Sequence, residues 1–434
     1  MWRSRVQLNR EWVSRLTTAG TLTSEASDQN PMISVLRQRD YRYFWVAQFI
    51  AQLIGGALRF AFLWHAPSLG DVTWTVPLFG ITTALPAFLV SLPAGAVADR
   101  MNHRIFCVLL SSTMVIILLL TGLLLLTDLL NIYLAVVMSL LLGAIQAAGM
   151  PVFQAMVPKL VGRQLLPTGV ALQNLGMMAS MVIGAVLGGG VIQFLGMGFS
   201  FILWSGLMAI GTLMFVVMRY EKTSSTQSGN SLATIIPDIY AGLRVCFSTE
   251  PLRSLTLAGC VMGFGGGAYG TLVPEIGRFQ LELSAGLTSV MFALMSGGMI
   301  LSTLFIASRK RFDYKGRYFL GALNCFGPGL MFIGLSTSPL VTFLFLPLWG
   351  LCGGVLMTTV RTLLQESTPP DVMARVMSVN TFAQAGLTPL SAGVIFVLRN
   401  FWSAGDSLAS IGFVVMLSAV FLAITRRSLW KKAI

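Results

Sequence analysis

Residues 94–104 read AGAVADRMNHR, which places an aspartate, two arginines and a histidine between two long apolar runs. Those runs, residues 73–97 and 105–126, are each long enough to cross a bilayer as a helix, which takes about 20 apolar residues. The stretch therefore reads as a tight polar turn at a membrane surface. Gly95 has no side chain, so a second helix can approach it closely. Asp99 stands where the helix ends, and can pair with Arg100 or Arg104 or accept bonds from a neighbouring helix N-terminus. Asn102 tolerates the left-handed backbone of a tight turn. The turn is either a simple topogenic loop held by its positive charges or a latch between two helical bundles. The order Gly, Asp, Arg favours the latch.

The rest of the chain fits a membrane. Of 434 residues, 55% are hydrophobic and only 10% charged, and the mean hydropathy is +0.78. Soluble domains carry about 25% charged residues, so a soluble protein of this composition lacks the polar surface to cover itself. Twelve apolar runs can be drawn, at roughly 43–69, 73–97, 105–126, 132–157, 166–195, 199–218, 253–280, 285–308, 318–336, 340–364, 373–398 and 407–425, and each is long enough to span. The expected fold is an all-α polytopic membrane protein with twelve transmembrane helices in two six-helix bundles.

The formal charge of +13 is explained by where the basic residues fall. With both termini in the cytoplasm, the outer loops hold only Arg278 and Arg399, and Arg59 lies inside the first run. The remaining Lys and Arg sit on the inner side, as the positive-inside rule requires. The charge is a topology signal and calls for no nucleic acid. The expected location is a bacterial cytoplasmic (inner) membrane, multi-pass. Cys107, Cys246, Cys260, Cys325 and Cys352 form no CxxC pair and no metal-type cluster, so no metal or cofactor is expected. Without a nucleotide motif, no ATP is expected either. GFGGGAYG, residues 263–270, lies within a run and lacks the Gly-Lys-Ser/Thr that a phosphate loop needs. Those glycines either break the helix beside a cavity or permit close packing.

A polar, Ser/Thr-rich stretch at the middle, EKTSSTQSGNS, divides the runs six and six. The organisation expected is a basic segment 1–40, a bundle 41–219, a cytoplasmic linker 220–251, a second bundle 252–427 and a tail 428–434. Residues 1–40 read either as a basic amphipathic helix on the lipid surface or as a solvated tail. Asn174 and Asn380 fall at matching places in the two halves, each after a Pro-containing basic turn.

With these features the sequence resembles the major facilitator superfamily. The signature in the loop after its second span is Gly, three residues, Asp-Arg, any residue, Gly, any residue and one or two basic residues. Gly95, Asp99, Arg100 and Arg104 match it, with Asn102 in place of the inner Gly. FWVAQFIAQLIGGALRFAFLWHAPSL, VALQNLGMMASMVIGAVLGG and ARVMSVN are similar to segments of the drug-and-metabolite exporter branch that includes enterobactin exporters, the transmembrane secretion effectors. The resemblance implies a secondary transporter that exports a small metabolite by alternating access, driven by proton antiport. The antiporter fifth-span pattern Gly-Pro-x-x-Gly-Gly is incomplete here: Gly184-Ala-Val-Leu-Gly188-Gly189 keeps the glycines and lacks the proline.

Charged residues inside a membrane are costly and mark functional sites. Arg59 is the clearest, and Gln48, Gln52, Gly56 and Arg59 share a helix face by their spacing. Arg59 would offer a carboxylate or catecholate a fixed charge and a planar fork of donors; alternatively it snorkels or braces a neighbouring helix. Asn174 and Asn380 complete the expected binding residues. Glu275, beside Pro274 near the outer end of the seventh run, is the coupling candidate, or else a loop acid paired with Arg278. Arg361 and Arg375 are the candidate second-half gate. The expected partners are a small-molecule substrate, protons and the lipid bilayer, around a monomer. Broad drug efflux is the alternative function, and a transporter-like receptor or scaffold an alternative of another class.

Overall fold

The computed structural model describes residues 31–90, 93–94, 97, 101–219, 243–247, 250, 252–308, 315–368 and 373–425. Everything regular in these residues is helical. Ten helices are long and apolar enough to cross a membrane, and a shorter apolar helix covers Val72–Ala87. One of the ten, Thr168–Val217, is 50 residues long and contains Gly196 at φ 76°. That backbone suits glycine and ends a right-handed helix, so the chain folds back there and the run supplies two spans. The expected twelve spans are thereby accounted for.

They are α1 (Arg39–His65), α2 (Val72–Leu89), α3 (His103–Leu126), α4 (Ile132–Gly162), α5 (168–195), α6 (197–217), α7 (Leu252–Glu275), α8 (Ala285–Ser308), α9 (Lys315–Leu335), α10 (Pro339–Ser367), α11 (Met373–Leu398) and α12 (Ala404–Thr425). Gly162, at φ 75°, separates α4 from α5 as Gly196 separates α5 from α6. A seven-residue helix, Pro31–Arg37, precedes α1. The face where α1 begins and α12 ends is the terminal face; the other is the far face.

Side chains start the helices. Asp71 accepts from the Thr73 amide at 2.9 Å, and Asn131 from the Leu134 amide at 3.0 Å. Asn102 likewise accepts from the Arg104 amide at 3.0 Å, with its own backbone extended at φ −68°. The left-handed turn expected of Asn102 is therefore wrong. Its short polar side chain serves as an N-cap, a role Asn fills as well as it fills a turn.

Buried apolar side chains form two separate clusters. One runs from Val35 to Met218 and takes in Ala285; the other runs from Cys246 to Leu422. Each half thus has its own core. Within a half, glycines bring backbones together, as membrane helices require where no hydrophobic force drives them. A Cβ at Gly184 of α5 would strike the Leu53 carbonyl of α1, and one at Gly327 of α9 would lie 2.7 Å from the Gly412 carbonyl of α12. α7 passes through GFGGGAYG unbroken. Gly263 abuts the Gln384 backbone of α11 and Gly265 abuts Phe326, so close packing is the reading that holds there. Irregularity comes later, in a π-turn at Ile276–Gln280 just past Pro274.

Candidate functional site

The halves meet at the far face. Arg278 donates to the Trp64 carbonyl at 3.0 Å and lies 5.2 Å from the Trp64 ring. Gln193 of α5 holds Ser284 and Gly286 at the start of α8. Deeper in the seam, Phe60 of α1 meets Phe292 of α8 edge to face, with centroids 6.2 Å apart, and Gly80 of α2 leaves room only for Thr271 and Ala392.

Arg59 lies beneath this seam. It is six residues from the end of α1, and its guanidinium reaches α7, where a Cβ on Gly270 would stand 2.9 Å from Arg59 Nη2. Gly270 is buried, but Arg59 is exposed. The far-face ends of both bundles meet above it, and the terminal face lies on its other side. Gly266, one turn nearer that face on α7, has nothing within 4 Å of its Cβ position. Arg59 thus stands between α1 and α7 beneath the far-face seam, an exposed guanidinium with five donors.

The remaining candidates separate. Gln52 is half-buried, and its amide donates to Met150 Sδ at 3.0 Å. Gln48 is buried at 5% exposure and accepts from Gln173 at 3.2 Å, while Gln173 also donates to the Phe153 carbonyl. Gln48 therefore ties α1 to α5. The accessible stripe on α1 is Trp45, Phe49, Gln52, Gly56 and Arg59. Trp45 and Phe49 stack at 5.5 Å, and Trp45 donates to the Leu172 carbonyl at 3.0 Å. These two aromatics lie on the same α1 face as Gln52 and Arg59, and a reading of the polar residues alone passes over them. Their signal was the same three- and four-residue spacing.

Asn174 is exposed and Asn380 is 3% exposed. Asn380 Oδ1 faces Gly259 of α7 and has no hydrogen-bond partner among the described residues, so the sequence match does not give the two asparagines a shared environment. Glu275 does not pair with Arg278. Its Oε1 lies 2.5 Å from Arg399 Nη2, and Arg278 turns to Trp64 instead. At the terminal face Arg361 is exposed, and Glu366 is paired with Lys315. The backbone of Arg375 lies in α11; its side chain is outside the described residues, as are Gly95, Asp99 and Arg100. Arg104 is described. It donates to the Phe215 carbonyl at 3.3 Å and to the Val216 carbonyl, capping the last turn of α6 within its own bundle, where a cation is favoured. Among the described residues no group of three or more His, Cys, Asp or Glu side chains could hold a metal ion.

The fold is shared with solved transporters. A POT family transporter in complex with 5-aminolevulinic acid aligns with TM-score 0.70 and 13% identity over 91% of this chain and 97% of that one. The nucleoside transporter NupG aligns at 0.69 and 11%, over 90% of this chain and 100% of that one. A bacterial homolog of the human lysosomal transporter Spinster, inward-facing and unoccupied, aligns at 0.65 and 13%, over 90% and 96%. Among curated proteins none matches the chain. The family model that matches is that of the Major Facilitator Superfamily, over residues 44–392. That match covers most of the chain, from the first turns of α1 into α11. The chain belongs to the Major Facilitator Superfamily and is a multi-pass membrane transporter, not an enzyme.

Proposed function

We propose that this transporter exports a small anionic metabolite, siderophore-like in chemistry, across the bacterial cytoplasmic membrane by alternating access. The observation that carries the anion is Arg59. It is a permanent cation within a membrane span, exposed beside α7 of the other bundle, where an uncompensated charge is expensive. A carboxylate or catecholate would receive its planar fork of donors. Gln52 and the Trp45–Phe49 stack lie along the same helix face toward the terminal face, offering an amide and ring faces to the rest of the molecule.

With both termini cytoplasmic, as the distribution of Lys and Arg indicates, a substrate cleft below the closed far-face seam would face the cytoplasm and be loaded from inside. Export follows from the likeness of the first-, fifth- and eleventh-span segments to the exporter branch. Proton antiport is the proposed energy source, with Glu275 as the group that changes charge. Protonating Glu275 would release Arg399 and the far-face loops it ties.

Mass spectrometry of culture medium tests the reading. In iron-poor medium a deletion strain should accumulate an iron-scavenging anion in its cells and leave it out of the medium. The intact gene should restore secretion, and Arg59→Gln should not, at equal membrane abundance. Unchanged medium on deletion, in iron-poor and iron-rich conditions alike, overturns siderophore export and points to broad drug efflux.

A further inference from the structure

Gln193 lies on α5, three residues before the break at Gly196, and its side chain bonds outside its own bundle. Oε1 accepts from Ser284 Oγ at 3.0 Å and from the Gly286 N–H at 2.9 Å. Both donors belong to the start of α8. Ser284 is the N-cap there: its carbonyl accepts from the Thr288 amide at 2.9 Å and its Oγ from the Leu287 amide at 3.3 Å. The first amides of a helix have no partner inside it. Ser284 takes one of them from its own chain segment, as an N-cap does. The amide of Gly286 is taken by the opposite bundle.

The surroundings are shaped for this contact. A Cβ on Gly286 would run into Gln193 Oε1, and Gly189 lets α5 reach the Ala285 carbonyl and the Ser289 side chain. Ser289 Oγ in turn lies 3.4 Å from the Val186 carbonyl. Gln193 is itself exposed, so these bonds add little to the core of its own half.

Any tilt that opens the far face separates α5 from α8 and gives both donors to water. The bonds therefore exist in one state and not in the other, which is the requirement for biasing an equilibrium. We propose that Gln193 is a cap supplied in trans that latches the far face shut, and that the strength of its acceptor sets how much of the protein stands open on that side. The proposal is independent of what is carried.

Hydrogen–deuterium exchange of the full-length protein in lipid nanodiscs tests it, comparing wild type, Gln193→Ala and Gln193→Glu. Losing hydrogen bonds of this kind changes a two-state ratio by about five- to thirty-fold. In Gln193→Ala, exchange should rise about fivefold or more at residues 284–289, and also along the Trp64–Arg278 part of the seam. Gln193→Glu keeps an acceptor oxygen, puts a second in place of the amide nitrogen and adds negative charge at a helix N-terminus, where the dipole favours it; exchange at both places should slow. A change confined to residues 284–289 would show a local cap and overturn the latch. So would two variants that shift exchange in the same direction, or a seam that neither variant alters.

Discussion

Arg399 and Glu275 form an ion pair at 2.5 Å between side chains that are 9% and 4% exposed. They stand 124 residues apart and join α7 to the loop between α11 and α12 within one bundle. Glu275 Oε2 and Arg399 Nε have no further partner among the described residues, while Arg399 Nη1 also donates to the Trp402 carbonyl at 2.6 Å, so it is chiefly Glu275 that depends on its partner. Removing one partner from a buried pair costs about 3–5 kcal/mol, because an uncompensated charge is left behind. Glu275→Gln and Arg399→Gln should each lower the melting temperature of the purified protein strongly. The double variant should lose clearly less than the two single losses together. Additive losses would show that the pair does not act as a unit.

Arg59 should depend on geometry as well as charge. Lysine carries the same charge as a point and lacks the planar fork. Arg59→Lys should retain part of the transport with an increased KM, whereas Arg59→Gln should abolish it. Neither should reduce abundance in the membrane, since Arg59 is exposed. Initial rates in membrane vesicles, normalised to protein, check both; normal transport by Arg59→Gln would remove Arg59 from the site.

The crossing of α9 and α12 should be intolerant of side chains at one glycine and indifferent at another. A Cβ on Gly327 meets the backbones of Gly412 and Met416, whereas one on Gly321, on the same helix, meets nothing within 4 Å. Gly327→Ala should cost about 1–3 kcal/mol, as overpacking does. Gly321→Ala should be neutral or slightly stabilising, since Ala is the better helix former. Thermal unfolding in detergent, read by size exclusion, distinguishes the two.

Asp71 lies outside the spans and caps α2. Bonds from the Thr73 amide and hydroxyl, both at 2.9 Å, hold its carboxyl below the usual aspartate range, with a smaller push from the charge of Arg399. A depressed folded-state pKa stabilises above the unfolded value, which is about 3.9 for aspartate, and that contribution fades as pH falls through the folded value. The melting temperature of Asp71→Ala should therefore lie below wild type near neutral pH, with the gap narrowing as pH falls below the unfolded value of about 3.9. Asp71→Asn keeps a capping oxygen and should show a smaller gap.

The fold was legible because its cause is local. Runs of about 20 apolar residues span on composition alone; Gly162 marks a turn that Lys159, Arg163 and Gln164 also mark, while Gly196 stands among apolar residues in a run too long for one span. Arg59 stood out for the same reason, as a charge within such a run. Pairings across the chain were not legible. Both Gln48 and Trp45 lie within three or four residues of the next member of the α1 stripe, and only Gln173 on α5 decides that Gln48 turns inward. Glu275 had Arg278 three residues away, but Arg399 arrives from the other end of the same bundle and Arg278 is drawn to Trp64.

The division of the apolar side chains into two clusters has a consequence for the speed of the transport cycle. Reorienting the halves leaves the large apolar contents of each on their original neighbours. What is exchanged is the seam itself: amides, hydroxyls and ring edges, together with the close contacts of Gly80 with α7 and α11 and of Gly189 with α8. The barrier between the two orientations is then set by that seam, so substitutions along it should change turnover without changing the temperature at which the protein melts.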